Sequence, residues 1–183
     1  MKTNLFRWSC YILLLAFTSC KSCRKDILPD ATQSGAGTFG CKINGQIWIP
    51  NKETNGFGGG GAINARYIDS NNPTFPSSLW LITSDNNGNS IILYVNNLPN
   101  GGLGTYLLNE NTGIRPAELS PKNYMYVVKE NKPYTTNNAY KGSMTITNVT
   151  STGIISGTFE GTAYYQNGET VKITEGRFDV RVN

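Results

Sequence analysis

Histidine is missing altogether from this 183-residue chain. A Ser-His-Asp or Cys-His catalytic group, a histidine-ligated zinc site and an imidazole acid/base are therefore excluded on stock alone. Charge is scarce too, at 15% of residues. It is also dispersed: beyond Lys21, Arg24 and Lys25 there is no basic cluster, so nucleic-acid binding has no footing. The net charge of +4 includes Lys2 and Arg7 of an N-terminal leader; without them 14 basic residues face 12 acidic ones, or +2. No stretch of ten or more residues carries a helical period, and no apolar run is long enough to span a membrane as a helix. No motif implies a cofactor or a metal.

What is abundant is Gly, Asn, Thr, Ser and Tyr, beside an apolar content of 38%. That balance suits an exported, β-rich chain. The clearest single element is the stretch 154–182. Ile155, Gly157, Phe159, Gly161, Ala163 and Tyr165 alternate with Ser156, Thr158, Glu160, Thr162 and Tyr164, the period of a half-buried strand. Gln166-Asn167-Gly168-Glu169 supplies turn chemistry. On the return arm Val171 and Ile173 share one phase, but Phe178, Val180 and Val182 share the other. A one-residue β-bulge near Gly176 reconciles them.

Register follows from which pairing keeps polar and apolar groups apart. A two-residue turn at Asn167-Gly168 would put Val171 and Ile173 on the face of Thr158, Glu160 and Thr162. A three-residue loop with Gly168 left-handed pairs Tyr165 with Glu169, Ala163 with Val171 and Gly161 with Ile173. After the bulge, Gly157 meets Phe178 and Ile155 meets Val180. Because a one-residue slip flips every side chain, the second register is expected, with Phe159 and Phe178 buried and Glu160 and Lys172 exposed.

Upstream the chain reads as three parts. Residues 1–19 have a basic start, an apolar run at 11–17 and small Thr18-Ser19 before Cys20. This is a signal peptide, and Phe17-Thr18-Ser19-Cys20 resembles a bacterial lipobox, in which Cys20 takes the lipid and becomes the mature N-terminus. Residues 20–37 carry Pro, Gly, Ser and charge without periodicity and read as a flexible tether. Residues 38–183 form one β domain. It opens on a hairpin, Thr38-Phe39-Gly40-Cys41-Lys42-Ile43-Asn44-Gly45-Gln46-Ile47-Trp48-Ile49-Pro50. A glycine-bulged turn at Asn44-Gly45 would face Cys41 to Ile47 and Phe39 to Ile49, and lay Trp48 over Gly40 on the other side.

This segment, the leader 28–35 before it, and the C-terminal pieces Ser156-Gly157-Thr158-Phe159 and Gly176-Arg177-Phe178-Asp179-Val180 resemble a group of Bacteroidota lipoproteins of unknown function. The resemblance implies location and fold, not chemistry: an outer-membrane lipoprotein, held through its N-terminal lipid on the periplasmic or surface side.

The fold expected is all-β, an antiparallel sandwich of about ten strands, with an up-and-down barrel as the alternative. Leu79-Trp80-Leu81-Ile82 and 91–95 are apolar in both phases and read as central strands; Asp85-Asn86-Asn87-Gly88-Asn89 between them is a hairpin turn. Asp85, Asn87 and Asn89 have the spacing of a calcium loop's start, but Asn96 stands where such a loop ends in glutamate; the reading is an Asx-rich turn. Gly58-Gly59-Gly60-Gly61 lacks the Lys-Ser/Thr of a phosphate loop. Residues 115–119 have room for one helical turn. Cys41 reads as a buried thiol, with a bridge to Cys23 as the alternative. Trp48 and Trp80 are the candidate ligand-binding aromatics, partnered by a glycan or an envelope protein. The function expected is a non-catalytic binding or structural module; a cell-surface glycan-active hydrolase is the alternative and requires converging carboxylates.

Overall fold

The computed structural model describes residues 27–51, 62–72, 75–99, 101–112 and 122–182. The leader, Cys20, Cys23, the glycine loop at 58–61 and the expected turn at 115–119 lie outside the described residues. The described residues form eleven strands: β1 Thr38–Ile43, β2 Gln46–Trp48, β3 Ile63–Asn72, β4 Phe75–Ser84, β5 Ser90–Asn96, β6 Gly104–Leu108, β7 Tyr124–Lys129, β8 Lys132–Thr135, β9 Gly142–Val149, β10 Ile154–Tyr164 and β11 Thr170–Arg181. Among the described residues there is no helix, so none is long and apolar enough to cross a membrane.

All strands belong to one antiparallel sheet in the order β2-β1-β11-β10-β8-β7-β5-β4-β3. The sheet curls into a half-barrel, so the walls that face each other across the core belong to the same sheet. β10 does the branching. Near its end Tyr164 pairs with Thr135 of β8, while 155–161 pair with β9, and β6 adds to the far side of β9. One continuous apolar cluster fills the concave side, with Phe39, Cys41, Leu81, Leu93, Met125, Met144, Phe159, Ile173 and Phe178 all buried. A second, smaller cluster lies on the convex side of β4, β5 and β7, where Tyr94, Tyr124 and Tyr126 are buried beside Trp80 and Ile92. These strands are therefore covered on both faces, as their two-phase apolar runs require.

The β10–β11 hairpin has the expected register: Ala163 with Val171, Gly161 with Ile173, Gly157 with Phe178 and Ile155 with Val180. Tyr165 N–H donates to Glu169 O at 2.8 Å, which closes the three-residue loop. Gly168 sits there at φ +85°, open to glycine at little cost. Phe159 and Phe178 are buried, and Glu160 and Lys172 are exposed. The bulge lies beside Gly176 as expected, and its left-handed residue is the preceding Glu175, at φ 53°. Gly176 is needed for space instead, since a Cβ there would lie 2.4 Å from Phe159 O and 2.7 Å from the Phe159 ring.

The β1–β2 hairpin corrects the sequence reading. Asn44 and Gly45, at φ 51° and 82°, make a two-residue turn of the I′ type. Cys41 then faces Trp48, and Lys42 faces Ile47. The cause is non-local. Asn44 N–H donates to Lys172 O and Asn44 Oδ1 accepts Lys172 N–H, both at 2.8 Å, so β11 locks the turn residue in its left-handed conformation. Trp48 is thereby on the core side, with Phe39 edge-on at 6.1 Å. Gly40 is covered by the Pro29 ring rather than by Trp48: a Cβ on Gly40 would lie 2.7 Å from Pro29 Cδ.

Candidate functional site

The two tryptophans singled out by sequence are not brought together. Trp48 is half-buried on the concave side, and its indole N–H donates to Asp85 Oδ2 at 2.9 Å. That bond ties the β2 edge to the β4–β5 turn. Asp85 also accepts Asn87 N–H and Asn89 N–H on Oδ1 at 2.8 and 2.9 Å, and the Asn89 side-chain amide on Oδ2 at 2.8 Å. Burial pushes this carboxyl up, but the bonds from Asn89, Trp48 and Asn87 outweigh it and hold the group below the usual carboxylate range. The calcium-like spacing is thus used as an Asx turn, both carboxylate oxygens being occupied by protein donors. Trp80 is half-buried on the convex cluster, and its indole nitrogen is enclosed without a hydrogen-bond partner. Cys41 is a buried free thiol, and burial pushes it up to about 12.

The stretch expected to be a loose tether is, over its described part, docked on the convex face of β11. Leu28 is buried, and Arg177 Nη1 donates to Pro29 O at 3.2 Å. The chain then wraps Asp179, whose Oδ2 accepts the Thr32 hydroxyl at 2.6 Å, Ser34 N–H at 3.0 Å and Ala36 N–H at 3.1 Å. Its Oδ1 accepts Gly35 N–H at 2.8 Å and the Ser156 hydroxyl at 2.7 Å. Asp179 is 1% exposed. Burial alone would raise its pKa, yet the Thr32, Ala36, Ser156 and Gly35 donors win and hold it far below the ordinary value. The strap therefore covers one end of β10 and β11.

From the strap outward, the convex face of β10 is an open trough. Its residues in order are Thr158, Glu160, Thr162 and Tyr164, six residue steps or about 20 Å at ~3.4 Å per residue. Each is flanked by register neighbours: Thr158 lies between Thr145 and Arg177, and Glu160 lies beside Ser143. Thr162 lies between Lys172, its β11 partner, and Lys141, whose carbonyl accepts Thr162 N–H at 3.0 Å. Two clefts follow this line. One, of about 360 Å³, is bounded by Ala31 of the strap and by Thr145, Thr158, Glu160 and Arg177. The other, of about 500 Å³, is bounded by Leu107, Lys141, Ser143, Thr162 and Lys172. Ser143 and Glu160 line both, so they form one groove. Gly142 and Gly161 also line the second cleft.

At the open end stand two tyrosines. Asn137 Oδ1 accepts the N–H groups of Ala139 and Tyr140 at 2.8 Å each, folding the loop between β8 and β9 into an Asx turn. That turn stacks Tyr140 on Tyr164, ring centroids 5.4 Å apart and planes 19° off parallel. Asn111 Nδ2 donates to the Tyr164 hydroxyl at 2.9 Å, and Asn109 Nδ2 ties the same loop through Asn138 Oδ1 at 3.1 Å. Both rings are half-buried. The sequence signal was available for Tyr164, an aromatic in the polar phase of an amphipathic strand. Tyr140, in a loop, gave none.

Chemically the trough offers ring faces, hydroxyls, amides and a few charges, the equipment of polyol recognition. Two carboxylates, Glu160 and Glu175, line its strap-side cleft. Glu175 is engaged by Lys42 at 2.5 Å and by Arg177 at 4.0 Å, with half its side chain exposed. Neither sits in the apolar enclosure that a glycosidase acid occupies.

A family model described as a domain of unknown function (DUF6252) matches residues 69–180. The match takes in β4 to β10 whole, with the groove residues and the tyrosine pair, and leaves out the strap and the β1–β2 hairpin. No curated protein and no solved structure matches the chain.

Proposed function

Since this chain belongs to the DUF6252 family, whose function is unknown, we propose its role from its own surface: a lipid-anchored envelope module that holds a glycan chain along the convex face of β10. The Tyr140–Tyr164 pair carries this reading. A stacked pair of rings at a groove's end, edged by Asn109, Asn111 and Asn138, matches what a sugar presents: an apolar C–H face for the ring and hydroxyls for the amides. Among the described residues the concave side is occupied by the packed apolar cluster. Binding without catalysis fits the absence of histidine and the ion-paired state of Glu175.

The leader supports the location. A basic start, a short apolar run and small residues before Cys20 are the features of a lipoprotein signal, and Lys21 after the cysteine favours the outer membrane. The lipid on Cys20 is the membrane contact, and the β domain projects from it on the periplasmic or cell-surface side.

The test is retention of the full chain on immobilised polysaccharides, neutral and uronate-rich, against a Tyr140→Ala/Tyr164→Ala variant of unchanged circular dichroism. Retention by at least one polysaccharide, lost in the variant, supports the reading. Retention unaffected by the variant, or no retention on any polysaccharide, removes it.

A further inference from the structure

The described lysines follow a pattern with two exceptions. Lys42 pairs with Glu175, Lys129 with Glu130 and Lys132 with Glu169, while Lys122 donates to Asn111 O at 3.0 Å. Lys141 and Lys172 alone among the described lysines have neither an ion pair nor a side-chain hydrogen bond, and both line the larger cleft beside Thr162. Register fixes their separation. Lys172 on β11 and Lys141, the residue just before β9, flank Thr162, so their Cα atoms lie about 10 Å apart, two inter-strand spacings of ~4.8 Å. Four-carbon stems are long enough for both ammonium groups to reach the space above Thr162.

Like charges side by side on a sheet repel, and among the described residues no carboxylate is spent to neutralise them. The nearest acidic member of the cleft is Glu160, one row further along β10. It faces the Ser143 hydroxyl's row, where a neutral sugar's hydroxyl can donate to it. The Lys141–Thr162–Lys172 row and the Glu160–Ser143 row thus ask for different things of successive sugar units.

We infer that the glycan held along β10 is anionic, with a carboxylate or sulfate group seated between Lys141 and Lys172, next to the sugar stacked at Tyr164. This rests on the glycan-binding reading and adds its charge. Lysine is a compact point charge without bidentate geometry, so it accepts either anion; the ligand's charge and its ring together set the preference.

The experiment is affinity electrophoresis of the full chain through gels holding polygalacturonate, dextran sulfate, neutral galactan or poly-glutamate. The parent is expected to bind one of the acidic polysaccharides roughly tenfold or more tighter than galactan, as two charge-assisted contacts imply. That margin should shrink between low salt and 0.2 M salt, where exposed charges are screened within about 7–8 Å. A Lys141→Glu/Lys172→Glu variant should lose the margin, and a Lys141→Arg/Lys172→Arg variant should keep it. Preference for the carboxylated or the sulfated polymer says which group is seated there. Equal binding of galactan and both acidic polysaccharides overturns the inference while leaving the glycan reading in place. So does an undiminished margin in the double glutamate variant. Poly-glutamate binding as tightly as the acidic polysaccharides overturns it as well, by showing attraction to any polyanion. No binding to any of the three polysaccharides removes both.

Discussion

Asp179→Asn replaces an acceptor-only group by one whose second arm donates, at a site where every neighbour is a donor. If the new amide nitrogen took the Oδ2 position it would face Ser34 and Ala36 N–H groups; in the Oδ1 position it would face Gly35 N–H and the Ser156 hydroxyl. The second arrangement costs less, because the Ser156 hydroxyl can rotate to accept. Even so, Gly35 N–H is left without a partner, at about 1–3 kcal/mol, and the remaining bonds fall from charge-assisted to neutral strength, about 1 kcal/mol each. The total is roughly 4–6 kcal/mol if the strap stays docked. Undocking of the strap caps the loss at whatever its attachment contributes. Two measurements separate these outcomes. A lowered melting temperature, by roughly 2–4 °C per kcal/mol for a domain of this size, reports the cost borne by the whole fold. Faster hydrogen exchange confined to Ser34, Gly35 and Ala36 reports undocking. The parent carries a matching pH dependence. Its folded-state Asp179 titrates far below the unfolded value of about 3.9, so the contribution is complete above that value and fades as pH falls below it. The variant should lack this acid-sensitive component. An Asp179→Asn protein with parental melting and parental exchange at Gly35 and Ala36 would refute the argument.

Three further outcomes are expected. Gly176→Val should cost roughly 1–3 kcal/mol, read as a lower urea midpoint, because its Cβ meets the Phe159 carbonyl at 2.4 Å; a parental midpoint would mean the close approach is not real. Cys41 should resist iodoacetamide in the native protein at pH 8 and react fully in denaturant, since its buried thiol is pushed up to about 12; peptide mapping distinguishes it from other cysteines. Cys20→Ala should leave unprocessed precursor, and mass spectrometry of the parent should find a lipidated Cys20 at the mature N-terminus; an unmodified peptide starting elsewhere would remove the anchor.

How far these features could be read from residues alone depends on whether their causes are local. In β10 and β11 the polar and apolar phases are unmixed and the turn is chemically explicit, so one register satisfies them and the chain adopts it. The β1–β2 turn has equally good local chemistry for two registers; the choice is made by Lys172, more than a hundred residues away, gripping Asn44. The strap was illegible for another reason. It binds Asp179 largely through backbone N–H groups, which every residue except proline carries, so Ser34, Gly35 and Ala36 look like linker. In the groove, Tyr164 was visible as an aromatic out of phase, whereas the larger tryptophans drew attention and proved to be placed elsewhere: Trp48 against Phe39 and Asp85, Trp80 in the convex cluster. Lys141 and Lys172 are 31 positions apart in the chain, and only the pairing of β10 with both neighbours makes them a pair.

The claim that the β10 face is a glycan site is tested most directly by backbone amide NMR of the full chain in detergent, titrated in turn with galacturonate, sulfated and neutral galactan oligosaccharides. Shifts that saturate and cluster at Lys141, Ser143, Thr158, Thr162, Tyr164 and Lys172 are the predicted result. Shifts centred on Trp48 or Trp80, or none at millimolar oligosaccharide, would contradict it.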